Sequence, residues 1–235
     1  KNAMLKIYDL PVAYFPEFYH PDPTVKRQSG FLTPSFKRTT NKKNFLEIPY
    51  YLVISDNKDA TFSPRFYNDE QFLIQNEFRG LKKDSNYISD FSFKIDNFNK
   101  LKSHFFYEYE KSFDFDNFID NDFTFKLQKT SKDTYLKKNK IASNIAFDEN
   151  ILENSAQLKF SKEDMFINFE TYAYEDLNKN NSDRYEYILP KIDLSKKIDN
   201  KTKLNGDFFI NSKIINKSYN TNVFETININ DLKFE

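Results

Sequence analysis

Beyond residue 65 the chain alternates apolar and polar positions with a period of two. Phe91, Phe93 and Ile95 are interleaved with Ser92, Lys94 and Asp96, and Phe123, Phe125 and Leu127 with Thr124, Lys126 and Gln128. Ile167, Phe169, Thr171 and Ala173 alternate with Asn168, Glu170 and Tyr172, and Ile227 and Ile229 with Asn228 and Asn230. Successive side chains of a strand point to opposite faces, so the pattern predicts strands with one apolar and one polar face. Clusters of Asn, Asp, Lys and Ser at 116–122, 148–155, 176–184 and 199–202 predict the turns and loops between them. Strands of about ten residues recurring every ~15–20 suit a membrane meander better than a soluble sandwich, whose strands run to about five or six. A soluble sheet with one wet face yields the same alternation.

The start of the chain has a different texture. Pro11, Pro16, Pro21, Pro23, Pro34, Pro49 and Pro64 precede residue 65, and Pro190 alone follows it. Residues 1–28 hold short aromatic pieces broken by proline, such as Leu10-Pro11-Val12-Ala13-Tyr14-Phe15-Pro16. Proline cannot donate to a ladder, so these pieces predict edge strands and corners. The shift near residue 28 is the one domain boundary expected. The opening Lys-Asn-Ala-Met-Leu-Lys-Ile-Tyr has no signal-peptide hydrophobic stretch and reads as the middle of a chain, so both ends are expected to be cut from a longer protein.

Composition narrows the function classes. Lys+Arg and Asp+Glu both number 35, which removes the basic excess that nucleic-acid binding requires. Aromatic residues make up 18% of the chain, nearly all Phe and Tyr, while Gly is limited to three, a balance that favours strands and disfavours Gly-rich nucleotide loops. An AT-rich genome produces part of the same bias. There is no cysteine, hence no disulfide or thiolate metal site in this stretch. No apolar run approaches the ~18 residues of a membrane helix; the longest is Tyr50-Tyr51-Leu52-Val53-Ile54.

Candidate catalytic chemistry is sparse. His20 lies in His20-Pro21-Asp22-Pro23 and His104 in Ser103-His104-Phe105, with no H-x-x-x-H, G-x-S-x-G or phosphate-loop pattern. Both histidines read as structural. No enzyme activity, catalytic residue, metal or cofactor is expected.

The informative stretch is 24–82. It runs from Thr24-Val25-Lys26-Arg27-Gln28-Ser29-Gly30-Phe31-Leu32-Thr33-Pro34 through Thr39-Thr40-Asn41 to Phe45-Leu46-Glu47-Ile48-Pro49-Tyr50-Tyr51. Asp59-Ala60-Thr61-Phe62-Ser63-Pro64-Arg65 and Asn76-Glu77-Phe78-Arg79-Gly80-Leu81 follow. This succession resembles the lipopolysaccharide-assembly LptD (OstA/Imp) family where its periplasmic jelly roll passes into its barrel. Leu10–Pro16 and His20–Pro23 look like the family's last jelly-roll segment. Weaker echoes occur at Lys129–Leu136 and Tyr187–Asp193. The resemblance is dense over 8–82 and thin over 83–235.

The resemblance implies an all-β fold in which residues 1–28 end a periplasmic β-jelly roll. Residues 29–235 would then form the N-terminal part of a large outer-membrane β-barrel, an antiparallel meander. As an isolated piece it should be an open, curved sheet of about twelve strands, insoluble on its own. Most of the jelly roll, the second half of the barrel and the family's disulfide cysteines would lie outside it. The family receives lipopolysaccharide from a periplasmic bridge protein (LptA or an equivalent). Acyl chains leave sideways into outer-membrane lipid while sugars pass through a lumen that also holds a plug lipoprotein (LptE).

A physical basis for sideways exit follows if 29–38 and 44–54 are the first two barrel strands. Pro34 and Pro49 each remove an N–H from the ladder, at about 1 kcal/mol or more per bond where water cannot replace it. Both are therefore expected to tune a lateral gate; the competing reading makes them bulges or strand ends. Phe15, Phe18, Tyr19 and Phe31 are candidates for an apolar lipid path at the domain junction, against plain core packing. Lys26 and Arg27 are candidates for meeting lipid phosphates, against a solvated turn. Pro64-Arg65 and Glu77-Phe78-Arg79 are expected on the third and fourth strands. Two alternatives stand: another large outer-membrane barrel (porin or substrate receptor), and a soluble β-sandwich carbohydrate-binding module. The sandwich requires the apolar faces to be buried between two layers, whereas a barrel wall leaves them facing outward.

Overall fold

The computed structural model describes residues 3–7, 10–15, 27–39, 43–69, 71–95, 100–115, 118–146, 148–199, 206–220 and 222–234. A short antiparallel pair, β1 (Ala3–Ile7) and β2 (Leu10–Phe15), forms a sheet by itself. All other strands belong to one 14-stranded antiparallel sheet. It opens with four short segments: β3 (Gly30–Phe31), β4 (Ser35–Arg38), β5 (Asn44–Glu47) and β6 (Tyr50–Ser55). Long strands follow, β7 (Lys58–Tyr67), β8 (Phe72–Lys82), β9 (Ser85–Ile95), β10 (Leu101–Ser112) and β11 (Asp120–Thr130). After one helical turn, α1 (Tyr135–Asn139), come β12 (Ile151–Lys162), β13 (Met165–Asp176), β14 (Tyr185–Ile198), β15 (Phe208–Tyr219) and β16 (Val223–Phe234).

From β7 onward each strand pairs with the next in sequence in an up-and-down meander, while β3 pairs with β6 and β5 with both β4 and β7. Taking β3 with β4 and β5 with β6 as two interrupted strands gives twelve passes, the number expected. Strands from β7 onward are 10 to 14 residues long. Two-residue turns at 56–57, 83–84 and 163–164 close hairpins at one end, and the long connection 131–150 lies at the other. Two expected loop clusters were drawn too long: 120–122 belong to β11 and 151–155 to β12. Their polar residues take part in the ladders of β11 and β12.

The two faces have inverted burial. Cross-strand register puts Phe62, Phe66, Phe72, Phe91, Phe93, Phe105, Phe125 and Phe169 on one face. That face is open: Phe66 is 49% and Phe105 43% exposed. Ring pairs run across it, Phe66 with Phe72 at 5.4 Å and Phe78 with Tyr87 at 5.8 Å between centroids, the cross-strand contacts that stabilise a pleated surface. The opposite face carries Arg65, Gln75, Asp90, Ser92, His104 and Gln128, all buried, with Ser92 at 0% and Asp90 at 1% exposure. It is buried because residues 131–146 fold back over it, seating Tyr135, Leu136, Ile141 and Ile145 against Phe45, Tyr67, Leu73, Phe106 and Leu152. The core therefore lies on the polar side. Among the described residues no second layer covers the apolar face, and the sandwich alternative falls on that point.

The division of faces fades at the far edge. Ile227 and Ile229 alternate as expected, yet Ile229 pairs with Lys213 and so belongs to the polar face, while Asn228 pairs with Ile214. Alternation defines two faces without naming them; register decides, and a shift of one residue exchanges them. Here Ser212 Oγ donates to Asn230 Oδ1 (2.8 Å) and Thr226 Oγ1 to Asn216 Oδ1 (3.0 Å). The turn between β15 and β16 holds Asn220 and Asn222 at φ 43° and 71°, a region asparagine tolerates.

Candidate functional site

The first two passes are broken where the prolines stand. Pro34 lies between β3 and β4, and Pro49 between β5 and β6, each outside the regular strand. Phe31 pairs with Tyr50 and Ser35 with Glu47, so three residues, 32–34, face two, 48–49. Across this bulge Leu32 N–H donates to the Pro49 carbonyl (2.8 Å), and Ile48 N–H donates to that of Pro64 (3.2 Å) in β7. Three prolines thus line up across three neighbouring passes, and none can donate to its neighbour. The expectation of uninterrupted strands over 29–38 and 44–54 is corrected accordingly. β4 ends the sheet's strand order, so its outer side has no strand partner among the described residues.

Phe31 projects from this edge, 76% exposed and edge-on to Tyr50 with ring centroids 5.0 Å apart. Phe36, also exposed, continues the apolar face along the same edge. Arg27 is engaged: its guanidinium donates to Tyr51 Oη (2.9 and 2.5 Å) and forms an ion pair with Asp59. Arg79 Nε meets the same carboxylate at 2.7 Å. Arg27, Asp59 and Arg79 line a cavity of about 410 Å3 that also borders Glu108 and Glu110. Phe18, Tyr19 and Lys26 lie outside the described residues, as does the side chain of Phe15, whose backbone ends β2. The structure therefore brings Phe31, Pro34, Pro49 and Arg27 to one corner of the sheet. Pro64 and Arg65 fall on the third pass and Glu77, Phe78 and Arg79 on the fourth, as expected.

Sequence reasoning missed the polar network beneath 131–150. Arg65 Nε donates to Glu47 Oε2 (2.6 Å), Nη2 to Gln75 Oε1 (2.9 Å), and Nη1 to the Asn139 carbonyl (2.8 Å). Gln75 Nε2 passes the chain on to Asp90 Oδ1 (3.0 Å) and the Ala142 carbonyl (2.8 Å). His104 Nε2 lies 3.2 Å from Asp90 Oδ1 without the alignment of a hydrogen bond, while its Nδ1 pairs with Ser92 Oγ at 2.7 Å. Ser92 Oγ in turn meets Tyr135 Oη at 2.7 Å. Burial pushes the Tyr135 phenol up to about 12. At the far side of the turn, Arg184 Nη2 donates to Asp133 Oδ1 (2.7 Å) and holds that carboxyl below its ordinary range. Hydrogen bonds of Arg65, Gln75, Ser92 and Gln128 with Asn139, Ala142, Tyr135 and Ile145 pin 131–146 to the polar face rather than lay it over that face.

An antiparallel meander with a bare aromatic face, a covered polar face and two open edges is a partial β-barrel wall. Over 84 residues, 36% of the chain, it is 43% identical to the LPS-assembly protein LptD of Pseudomonas putida (strain W619). Over the same length it is 42% identical to the LPS-assembly proteins LptD of Pseudomonas entomophila (strain L48) and Pseudomonas aeruginosa (strain UCBPP-PA14). The chain thus carries a segment homologous to LptD proteins, and the matched stretch spans 9% of the length of those relatives. No family model matches the chain.

Proposed function

We propose that this chain is part of an outer-membrane translocon, an assembly protein and not an enzyme, that inserts lipopolysaccharide into the outer leaflet. The observation that carries the reading is the 84-residue match to LPS-assembly proteins, supported by the bare apolar face. In this reading residues 1–28 end a periplasmic jelly roll and residues 29–235 are barrel wall. Lipid contacts the Phe-rich face, and the polar face lines a lumen shared by the sugars and a plug lipoprotein (LptE). A periplasmic bridge (LptA or an equivalent) delivers the cargo.

The lateral gate lies at the proline-broken corner. A closed barrel satisfies every backbone group through its neighbours, so a seam opens most easily where donors are missing. Pro34 and Pro49 remove two of them beside the open edge, at about 1 kcal/mol each. Acyl chains leave past Phe31, along a path that begins with Phe15, Phe18 and Tyr19, while Lys26 and Arg27 steer phosphates at the junction. The reading is tested with a photo-crosslinking residue at position 31 and with the double variant Pro34→Ala/Pro49→Ala in the intact protein. Crosslinks to lipopolysaccharide and slowed surface delivery in the double variant are the expected results. Unchanged delivery together with no crosslink at position 31 refutes the gate.

A further inference from the structure

Opposite charges face each other across the cavity at the two-residue-turn end of the polar face. Cross-strand register sets Asp59, Arg79, Ile88 and Glu108 in one row over β7 to β10, with Leu81, Asn86 and Glu110 in the next. Arg79 and Glu108 therefore stand two strand spacings apart, about 9–10 Å between backbones, with Ile88 between them. Arg27 reaches in on the arginine side, where it shares Asp59 with Arg79. The volume of about 410 Å3 falls within the roughly 300–1,000 Å3 of small-molecule sites.

Each wall is positioned by its own neighbours. Asp59 Oδ1 meets Arg79 Nε at 2.7 Å, and Glu77 Oε1 lies 3.4 Å from the same nitrogen. On the other wall Glu108 Oε2 lies 3.6 Å from Lys126 Nζ, and Glu110 Oε2 accepts from Asn86 Nδ2 at 2.9 Å. Among the described residues no ion pair crosses the cavity between the two arginines and these two glutamates. The side chains of Arg27 and Arg79 are 47% and 43% exposed, which leaves their guanidinium forks accessible to a further acceptor. Opposite signs held apart around one volume are matched by a ligand that carries both. A guanidinium fork fits phosphate oxygens, and a primary ammonium brings three donors to carboxylates. Ile88, between the walls, suits a short hydrocarbon link between those two groups.

We infer that this cavity binds a phosphoethanolamine group, its phosphate on Arg27 and Arg79 and its ammonium on Glu108 and Glu110. Separation of sign, not a net charge, recognises it. The inference deepens the assembly reading and rests on it for the carrier, since a membrane phospholipid and a modified lipopolysaccharide can both bear this group. The test uses the intact protein in detergent micelles and three soluble phosphodiesters. Glycerophosphoethanolamine should bind about tenfold more tightly than glycerophosphocholine, whose quaternary nitrogen has no N–H, or glycerophosphoglycerol, which has no amine. That factor is the size of one charge-assisted hydrogen bond. Glu108→Gln/Glu110→Gln, at half-exposed and exposed positions, should abolish the preference so that the three probes bind alike. Arg79→Gln should weaken all three; should it fail to fold around the buried Asp59, Arg79→Lys reports the same loss at smaller amplitude. Competition names the carrier: lipopolysaccharide bearing phosphoethanolamine, but not the unmodified form, should displace glycerophosphoethanolamine. Displacement by phosphatidylethanolamine alone supports the site with a membrane lipid as its ligand. If the glutamate-dependent preference holds and the protein binds no lipopolysaccharide, the site stands and the assembly reading fails. Equal binding of glycerophosphoethanolamine and glycerophosphocholine by wild type, or an undiminished preference in the glutamate variant, overturns the inference.

Discussion

Replacing Arg65 by Met is the severest single test of how 131–150 is held. The arginine is 4% exposed, and its guanidinium satisfies Glu47, Gln75 and the Asn139 carbonyl at 2.6 to 2.9 Å. Methionine fills part of the volume, taking the Arg65 donor from Glu47 Oε2, Gln75 Oε1 and the Asn139 carbonyl. Each such oxygen costs about 1–3 kcal/mol, and breaking one side of a buried ion pair costs about 3–5 kcal/mol in all. Glu47 keeps Lys37 at 3.0 Å, which places the expected loss toward the lower end, about 3 kcal/mol. The loss is local: the sheet keeps its ladders, and 131–150 loses its anchor at Asn139. In the intact protein in micelles, limited proteolysis should cut within 131–150 while the barrel bands survive, and the urea midpoint should fall. A loss below about 1 kcal/mol with 131–150 still protected would show that the network does not hold the segment, and refute the reasoning.

Two further outcomes follow from particular contacts. A methyl group on Gly80 would overlap the ring of Tyr87, which also stacks on Phe78; Gly80→Ala should cost about 1–2 kcal/mol in a urea titration. A Tyr87→Ala background should relieve most of that cost, and an undiminished cost there would contradict the overlap. Tyr135, pushed up to about 12 from an ordinary 10, is favoured in its neutral form by the folded state. That stability is fully present below pH 10 and lost as pH rises toward 12, at most about 2–3 kcal/mol, so protease cutting within 131–150 should climb over this interval. Tyr135→Phe should show no such climb; an identical rise in that variant would assign it to other groups.

What could be read from the sequence was what local backbone chemistry decides. Phe91, Phe93 and Ile95 alternate because a strand has two faces; Pro34 and Pro49 were expected within strands, and only the competing reading put them at the breaks where they stand. Ile227 and Ile229 show where this ends: alternation was visible, but the face was set by pairing with Lys213 across a turn. The fold-back of 131–150 left no periodic trace, since Tyr135, Leu136, Ile141 and Ile145 occupy a short turn and irregular chain. Arg65 could not be matched with Asn139, 74 residues away, without the sheet that brings them together. A run of charged residues at alternate strand positions beside one solitary long connection was the available signal, and it was insufficient to place them.

The central claim is that the aromatic face meets lipid. This stretch has no cysteine; with any cysteines elsewhere in the intact, membrane-embedded protein replaced or blocked, single cysteines placed successively from position 103 to 109 of β10 can each carry one spin label. Collision with oxygen, which concentrates in the bilayer, should be high at 103, 105 and 107 and low at 104 and 106, a period of two in phase with Phe105 and Tyr107. Labels at 105 and 107 as shielded from oxygen as the label at 104 would mean that another layer covers that face, and the account would be contradicted.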